Sequence, residues 1–168
     1  EDLEPFVFNG SVMTTLTNSG YLLYTLNMLK SLRPFGLDKK VLKPKDVVLY
    51  GFGRIGRTLL RILIQHPEIE VVAIHDLHDA NTMAHLFKYD SVHRRFSGTV
   101  EAGQDHLVFN GERVRATKEK DPLMLPWKEL GVDVVLECTG KFTDKAGAEK
   151  HLSAGARKVI LSAPAKGG

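Results

Sequence analysis

The sequence predicts an α/β fold in which helices cover both faces of a doubly wound, mostly parallel sheet. Short apolar and β-branched runs alternate with stretches of helical periodicity from residue 46 onward. That order is typical of parallel strands joined by right-handed crossover helices. The first run leads into a glycine-rich turn, and the second ends on an aspartate. A chain of 168 residues, of which 43% are hydrophobic, is long enough to bury the core of such a domain.

The elements of this domain follow one another in a regular order. The predicted strands cover 46–50, 70–75, 133–137 and 157–162, and two short strands near 97–101 and 107–115 resemble a hairpin around Asn110-Gly111. The predicted helices cover 54–65, 80–88 and 143–152. Asp79 or Asn81 can cap the second helix, because both side chains accept hydrogen bonds from amides of a first turn.

Residues 1–45 differ from the rest and predict a helical N-terminal extension with a linker, ahead of a domain over 46–168. Leucines 22, 26, 29 and 32 recur at helical spacing, and Pro34 ends the pattern. We expect this apolar face to pack on the main domain or a partner subunit rather than on a membrane surface. The chain begins with Glu1 rather than Met, which suggests a fragment or a processed chain, and it shows no signal peptide or membrane-spanning run.

Charge and cysteine content narrow the class of protein. The net charge is +3, but from Asp46 onward 17 Lys and Arg stand against 16 Asp and Glu. Such a balance gives little reason to propose nucleic acid as the main partner. The single cysteine, Cys138, excludes an internal disulfide and fits a reducing compartment. We therefore expect a cytoplasmic protein.

The glycine-rich turn predicts a binding site for a dinucleotide. In this Gly-x-Gly-x-x-Gly pattern, Gly51 makes the tight turn, Gly53 lets a pyrophosphate approach the backbone, and Gly56 lets the helix pack closely on the strand. The amides at the helix start, at Arg54 and Ile55, together with the helix dipole, attract the anion. Since a strand precedes the pattern and a helix follows it, the sequence predicts a domain of the Rossmann type.

An acidic residue at the end of the next strand points to the same ligand. Asp76 lies 20 residues after Gly56, where a carboxylate can accept hydrogen bonds from both ribose hydroxyls of an adenosine and repel a 2′-phosphate. Leu77 follows and offers no donor for such a phosphate. The cofactor is therefore expected to be NAD rather than NADP. The alternative is that Asp76 serves only as a turn or helix-start acid.

Five blocks of the sequence together resemble one family. They are Tyr50-Gly-Phe-Gly-Arg-Ile-Gly-Arg57, Lys88-Tyr-Asp-Ser-Val-His-Arg-Arg-Phe96, Glu137-Cys-Thr-Gly-Lys-Phe-Thr143, Ala146-Gly-Ala148 with His151-Leu152, and Val159-Ile-Leu-Ser-Ala-Pro164. In order and spacing they are similar to the NAD-binding domain of glyceraldehyde-3-phosphate dehydrogenase. The resemblance covers about residues 46–168, and residues 1–45 resemble the extension of a longer bacterial form.

The resemblance implies roles for individual residues. The backbone at Arg54 and Ile55 would contact the pyrophosphate, and Asp76 would hold the adenine ribose. Further cofactor contacts are expected at Lys120 (the family usually has Arg) toward the nicotinamide side, at Thr139 and Gly140 in the cofactor groove, at Phe142 near the adenine and at Ser162 near the nicotinamide. The chain departs from the family at His75, where Asn is common, and at Cys138, where Ser is frequent. Packing or cofactor proximity is expected for His75 and His78, rather than metal binding.

The resemblance also implies an activity. The family oxidises an aldehyde with hydride transfer to NAD and uses phosphate to release the product, a step of glycolysis and gluconeogenesis performed by a homotetramer. Its cysteine nucleophile lies in a Ser-Cys-Thr-Thr-Asn-Cys segment that this sequence does not contain. We expect no catalytic residue, no metal, and no activity in these 168 residues without the missing catalytic domain, and we expect Cys138 to be buried. Two alternatives remain open: a stand-alone, non-catalytic NAD- or nucleotide-binding module, and the cofactor half of an erythrose-4-phosphate dehydrogenase.

Overall fold

The structure, a computed structural model, describes residues 6–8, 11–13, 45–67 and 69–166. The strands are β1 (Phe6–Phe8), β2 (Ser11–Met13), β3 (Lys45–Tyr50), β4 (Ile69–His75), β5 (Tyr89–Asp90), β6 (Arg94–Arg95), β7 (Val100–Ala102), β8 (His106–Phe109), β9 (Glu112–Thr117), β10 (Val134–Glu137) and β11 (Lys158–Leu161). The helices are α1 (Arg54–Leu63), α2 (Ala80–Lys88) and α3 (Lys145–Ser153), with a short 3-10 helix at Pro122–Met124.

Within the described residues, the main sheet has nine strands in the order β1-β2-β11-β10-β3-β4-β9-β8-β7. The pairs from β2–β11 through β4–β9 are parallel, whereas β1–β2, β7–β8 and β8–β9 are antiparallel. The chain leaves β3 toward β4 on one side and later returns to place β10 on the other side of β3. The predicted mostly parallel, doubly wound sheet is therefore confirmed, and its order reverses at β3 and β10.

Two apolar layers, one on each face of the sheet, hold the helices. Along β3, Val47 and Leu49 belong to the cluster that also contains apolar residues of α1 and α2. Val48 and Tyr50, which alternate with them, belong to the cluster with Trp127 and residues of α3. Since successive side chains of a strand point to opposite faces, a fully apolar strand is needed where both faces are covered.

The predicted hairpin turn is confirmed, but the strand predicted over 107–115 is wrong. Asn110 and Gly111 have φ values of 52° and 91°, which is the backbone of a two-residue hairpin turn. They separate β8 from β9, so the stretch forms two antiparallel strands and β7 pairs with β8 as a third. The left-handed backbone at both turn residues reverses the chain in the middle of an otherwise continuous β-prone run.

The predicted helices are confirmed with small changes at their ends. Asp79 caps α2, because its Oδ1 accepts a hydrogen bond from the Thr82 amide at 2.8 Å. Asp144 caps α3 in the same way through the Gly147 amide at 2.7 Å, so this helix begins two residues later than predicted. Within the described residues, no helix has both the length and the apolar character needed to cross a membrane.

The predicted helix near residues 20–33 lies outside the described residues. In the N-terminal part, the structure instead describes the short strands β1 and β2, which the sequence patterns did not indicate. Strand β2 pairs in parallel with β11 through Val12–Ile160 and Met13–Leu161, so this hairpin extends the sheet beyond β11. A second small hairpin, β5–β6, lies apart from the main sheet.

Candidate cofactor site

The loops that carry the predicted site residues follow the carboxyl ends of neighbouring parallel strands. The residues after β3, β4, β9, β10 and β11 meet at one edge of the sheet because these strands run in the same direction. The strand order reverses between β3 and β10, and ligands of open α/β sheets bind outside the carboxyl ends of strands at such a point. The fold therefore brings the predicted residues to the position where a crevice is expected.

The three glycines of the loop after β3 have different structural requirements. Gly51 has a φ of +99°, and an added Cβ would lie 2.7 Å from Cγ2 of Thr139. At Gly56 an added Cβ would lie 2.1 Å from the carbonyl oxygen of Gly51. These two positions are closed by the protein's own packing. At Gly53, in contrast, no atom of the described residues lies within 4 Å of an added Cβ, so its open face is available to a ligand.

The start of α1 faces this open position. Gly53 is the N-cap of α1 and makes no side-chain hydrogen bond to the helix, because glycine has no side chain. The first amides of a helix have no partner within the helix, and its dipole favours an anion there. Arg54 is exposed and Ile55 is half-buried. The Arg57 guanidinium donates a hydrogen bond to the Phe52 carbonyl at 3.0 Å. This contact ties the helix α1 to the loop after β3.

Asp76 is held in place by the glycine loop itself. Its Oδ2 accepts a hydrogen bond from the Phe52 amide at 2.8 Å, so that the end of β4 is tied to the loop after β3. Burial raises the pKa of the Asp76 carboxyl, but hydrogen bonds from His78 and Phe52 outweigh it and the pKa lies below its usual range. The side chain is 17% exposed. Asp76 is therefore an ionised acceptor at the sheet edge where the crevice is expected.

His78 is a partner of Asp76 that the sequence patterns missed. Oδ1 of Asp76 lies 2.6 Å from Nδ1 of His78 and accepts its backbone amide at 3.1 Å. The sequence prediction considered only Leu77, which has no side-chain donor; the donor to Asp76 is one residue further on. The amide contact is an Asx turn, in which an aspartate accepts from the residue two positions later. An Asp-x-His sequence at a strand end is the signal that could have revealed it.

Thr139 and Gly140 lie in the loop after β10 and contact the glycine loop. Thr139 donates to Oε1 of Glu137 from its backbone nitrogen at 2.6 Å and from its hydroxyl at 2.5 Å. The Thr139 hydroxyl also accepts from the Lys141 amide at 3.0 Å. Gly140 has a φ of +70° and is exposed. Since Thr139 is the residue that an added Cβ at Gly51 would meet, these two loops determine each other's position.

Glu137 belongs to a buried polar network beneath this loop. It is 1% exposed, and its Oε2 lies 3.6 Å from Nε2 of His151, which is fully buried. Trp127 donates its indole N–H to Nδ1 of His151 at 3.2 Å. Because an indole nitrogen can only donate, Nδ1 must be the acceptor and the imidazole proton lies on Nε2, facing Glu137. The charged residue that ends an apolar strand was the sequence signal for this network.

His75, next to Asp76, is connected to His151, next to Glu137, through ring contacts with Tyr50. Its ring stacks on Tyr50 at 4.4 Å, and Tyr50 meets His151 edge-on at 4.4 Å. Nδ1 of His75 lies 3.1 Å from the Thr117 hydroxyl at the end of β9. Burial lowers the pKa of His75 to about 4, and the nearby Asp76 only partly opposes it. His75 is therefore a neutral residue near neutral pH.

The remaining predicted contacts lie at different depths. Lys120 is exposed in the segment after β9. Phe142 is half-buried and packs edge-on against Tyr50 at 5.9 Å. Ser162 is 1% exposed, and its amide donates to the Glu137 carbonyl at 2.9 Å. The structure thus places Lys120 on the surface and Ser162 inside the protein.

Cys138 lies directly after β10 and is 8% exposed. Burial raises the pKa of its thiol, the negative charge of Glu137 raises it further, and a hydrogen bond with Ser162 only partly offsets this. A nucleophilic cysteine requires the opposite shift, so these surroundings argue against Cys138 as a nucleophile. Among the described residues, no group of three or more His, Cys, Asp or Glu side chains is arranged to hold a metal ion.

The fold and the loop geometry define a dinucleotide-binding domain. Comparison with known proteins identifies the kind. The protein-family model for the glyceraldehyde 3-phosphate dehydrogenase NAD binding domain matches residues 45–145. This chain therefore belongs to the glyceraldehyde-3-phosphate dehydrogenase family, it is an NAD-binding part of that oxidoreductase family, and its cofactor is NAD.

Similar curated proteins include three bacterial glyceraldehyde-3-phosphate dehydrogenases. The protein of Thermotoga maritima is 54% identical over 123 residues, which are 72% of this chain and 37% of the relative. Those of Clostridium pasteurianum and Geobacillus stearothermophilus are 57% and 55% identical, each over 71% of this chain and 36% of the relative. The chain thus spans little more than a third of the length of these relatives.

Proposed function

We propose that the described residues form the NAD-binding half of a phosphorylating glyceraldehyde-3-phosphate dehydrogenase. We also propose that the residues predicted from the sequence to contact the cofactor do so in this half. In the reaction of that class, NAD accepts a hydride from an aldehyde substrate. The backbone at Gly53, Arg54 and Ile55 binds the pyrophosphate, while Gly51 and Gly56 fix the turn. Asp76 accepts hydrogen bonds from the adenine ribose.

The further predicted contacts complete the proposed site. Thr139 and Gly140 line the groove between the adenosine and nicotinamide ends. Phe142 supports the wall toward the adenine, and its packing on Tyr50 keeps that wall rigid. The exposed Lys120 contacts the nicotinamide side as a point charge, without the bidentate geometry of an arginine. Ser162, which is buried, supports the nicotinamide end from beneath.

One contact supports these roles most directly. The hydrogen bond from the Phe52 amide to Asp76 at 2.8 Å joins the loop proposed for the pyrophosphate to the carboxylate proposed for the ribose. In an adenosine diphosphate these two groups are covalent neighbours. A protein that binds both must hold their two partners at a fixed separation, and this hydrogen bond is a direct means of doing so.

The whole protein's activity is proposed on the same basis. We propose that it carries a catalytic domain with a cysteine nucleophile, assembles as a homotetramer and works in the cytoplasm in glycolysis or gluconeogenesis. The division into an extension over 1–45 and an NAD-binding domain over 46–168 belongs to this proposal. An erythrose-4-phosphate dehydrogenase would use the same half. Burial and Glu137 raise the pKa of the Cys138 thiol, which favours one further candidate for these 168 residues by themselves: a non-catalytic NAD-binding module.

Calorimetric titration of the 168-residue chain with NAD and with NADP tests the proposed site. We expect NAD to bind more tightly than NADP, because the Asp76 carboxylate accepts from a free 2′-hydroxyl and repels a 2′-phosphate. Asp76→Ala should weaken NAD binding about tenfold or more, the value of one or two hydrogen bonds to a charged group, and should bring the two affinities closer. An NAD-to-NADP ratio that the substitution leaves unchanged would contradict the ribose role.

Two glycine variants provide a matched test of the loop in the same titrations. Gly53→Ala should fold normally, because its Cβ meets no described atom within 4 Å, yet it should lose NAD affinity. Gly111→Ala, whose Cβ also meets open space but lies in the distant β8–β9 turn, should keep the wild-type affinity despite a strained backbone. Equal NAD affinities in the two variants would contradict the pyrophosphate role of Gly53.

A turnover assay separates the enzyme from the non-catalytic module. With glyceraldehyde-3-phosphate, NAD and phosphate, we expect no NADH from the 168 residues, because the thiol of Cys138 lacks the surroundings of a nucleophile. NADH formation that Cys138→Ala abolishes would overturn this expectation. If the whole protein with a catalytic domain oxidises the substrate and the 168-residue chain does not, the result supports the dehydrogenase rather than the non-catalytic NAD-binding module.

A further inference from the structure

The Asp76 carboxylate already accepts three hydrogen bonds from the protein. A carboxylate has about four acceptor positions, two on each oxygen. On Oδ2, the Phe52 amide occupies one of them. On Oδ1, the amide and the imidazole of His78 occupy both. The described residues therefore leave one acceptor position open, and it lies on Oδ2.

A ribose needs more than this single position. Its 2′- and 3′-hydroxyls are adjacent, and a carboxylate that receives both accepts one on each oxygen. One donor must leave Oδ1 before the second hydroxyl can bind there. The His78 amide is part of the backbone turn that leads into α2, whereas the imidazole is 65% exposed and ends a rotatable side chain. The imidazole is thus the donor that can be displaced.

We propose that the His78 imidazole and the adenosine ribose compete for Oδ1 of Asp76, which makes His78 a specificity-determining residue of this subsite. The proposal rests on the ribose role of Asp76 proposed above. NAD must break the hydrogen bond between the imidazole and Asp76, so His78 lowers NAD affinity. Once displaced, the imidazole stays next to the 2′ position, since His78 is only two residues from Asp76.

The displaced imidazole also alters the discrimination against a 2′-phosphate. Asp76 alone repels such a group, but an adjacent imidazole N–H can donate a hydrogen bond to a phosphate oxygen and offset part of the repulsion. The same side chain therefore weakens NAD binding and supports NADP binding. A chain with His78 should discriminate between the two dinucleotides less sharply than one without it.

Titrations of NAD and NADP into the wild type, His78→Ala and His78→Phe test this inference. Both variants should bind NAD about fivefold more tightly, the equivalent of one net hydrogen bond, and NADP no more tightly than the wild type. His78→Phe keeps the bulk of the ring and removes the donor, so it should behave like His78→Ala. In nitrogen-edited NMR, the Nδ1 resonance of His78 in the wild type should shift when NAD saturates the protein.

His106→Ala is the matched control. Nδ1 of His106 lies 2.9 Å from Oδ1 of Asp105, a similar His–Asp pair on β8, two strands away from β4 in the sheet. It should leave both affinities unchanged. The inference is overturned if His78→Ala leaves NAD affinity unchanged or lowers it, or if His78→Phe behaves like the wild type. If Asp76→Ala also leaves NAD binding unchanged, the ribose role itself fails; if Asp76→Ala weakens it, only the role of His78 fails.

Discussion

Asp76 and Glu137 are two carboxylates at the carboxyl ends of the strands that flank β3, and their surroundings are opposite. Asp76 directly follows β4 and Glu137 ends β10, and both strands are neighbours of β3. The Asp76 side chain is 17% exposed at the rim of the crevice. That of Glu137 is 1% exposed and lies against Thr139 and His151 beneath the crevice.

The difference shows that an acidic residue at the end of a parallel strand does not by itself make a ligand site. Among the described residues, Glu137 accepts hydrogen bonds from the amide and the hydroxyl of Thr139, so its carboxylate shapes the loop after β10, and its burial closes it to a ligand. Asp76 accepts one hydrogen bond from the glycine loop and two from His78, whose imidazole is exposed. Exposure and the mobility of the donors distinguish a binding carboxylate from a structural one.

The two carboxylates are also connected. The rings of His75, Tyr50 and His151 form a chain of contacts between them: His75 stacks on Tyr50, and Tyr50 meets His151 edge-on, each pair with 4.4 Å between centroids. Desolvation by burial raises the pKa of the Tyr50 hydroxyl, and Glu137 raises it further. Tyr50 therefore stays uncharged near neutral pH, between the rings of His75 and His151.

The largest expected effect on the free energy of unfolding concerns Glu137, the buried carboxylate. Glu137→Ala should lower the free energy of unfolding by about 3–5 kcal/mol, because removing one member of a buried polar network leaves its partners unpaired. Urea denaturation followed by circular dichroism measures this change. Glu149→Ala is the control: its carboxylate makes an exposed pair with Lys145 at 3.7 Å and should cost less than about 0.5 kcal/mol. Equal costs for the two variants would contradict a structural role of Glu137.

His75, whose ring stacks on Tyr50, should make the free energy of unfolding depend on pH. His75 takes up a proton only near pH 4 in the fold, whereas an unfolded chain does so near 6.5. The unfolded state therefore binds the proton first as the pH falls, and the stabilisation present above pH 6.5 is lost between about 6.5 and 4. The expected loss is about 2–3 kcal/mol.

Urea denaturation at pH 7, 5.5 and 4 measures this loss, and His75→Asn provides the reference. Asparagine does not titrate and can still form a hydrogen bond with the Thr117 hydroxyl, as donor or as acceptor. The loss attributed to His75 is the difference between wild type and variant, because other groups titrate equally in both. Parallel pH profiles would show that His75 is not the group responsible.

The smallest of these expected effects on stability concerns Asp76, the carboxylate proposed to bind the ribose. Asp76→Ala should lower the free energy of unfolding by only about 1 kcal/mol, since it removes hydrogen bonds at a partly exposed rim. The same urea experiment compares it directly with Glu137→Ala. A loss of more than about 3 kcal/mol would place Asp76 in the same structural class as Glu137, and the contrast between the two carboxylates would fail.

Much of the fold could be predicted because its signals are local. The alternation of apolar runs and helical periods located β3, α1, β4, α2, β10 and β11 within two residues at each end. The glycine pattern identified the turn after β3, since only glycine tolerates the backbone of Gly51 and the close approach at Gly56. The Asn110-Gly111 pair correctly indicated a turn, although the strands around it were wrongly divided.

The partners of the site residues could not be predicted in this way. The contact of Phe52 with Asp76 joins residues 24 positions apart, and that of Trp127 with His151 joins residues 24 positions apart. No periodicity specifies which amide or ring meets a given carboxylate. The contact of Asp76 with His78 is local, but an Asp-x-His sequence leaves open whether the side chain turns toward the carboxylate.

The sequence alone determined the strand and helix order, the glycine turn, the acidic end of β4 and the resemblance to a dehydrogenase cofactor domain, because each depends on neighbouring residues or on a fixed spacing. The tertiary structure alone decided which strand-end carboxylate faces the crevice and which is buried, and that His78 occupies Oδ1 of Asp76. Exposure and hydrogen-bond partners arise only when distant segments pack together, and at this sheet edge they separate a ligand site from a structural network.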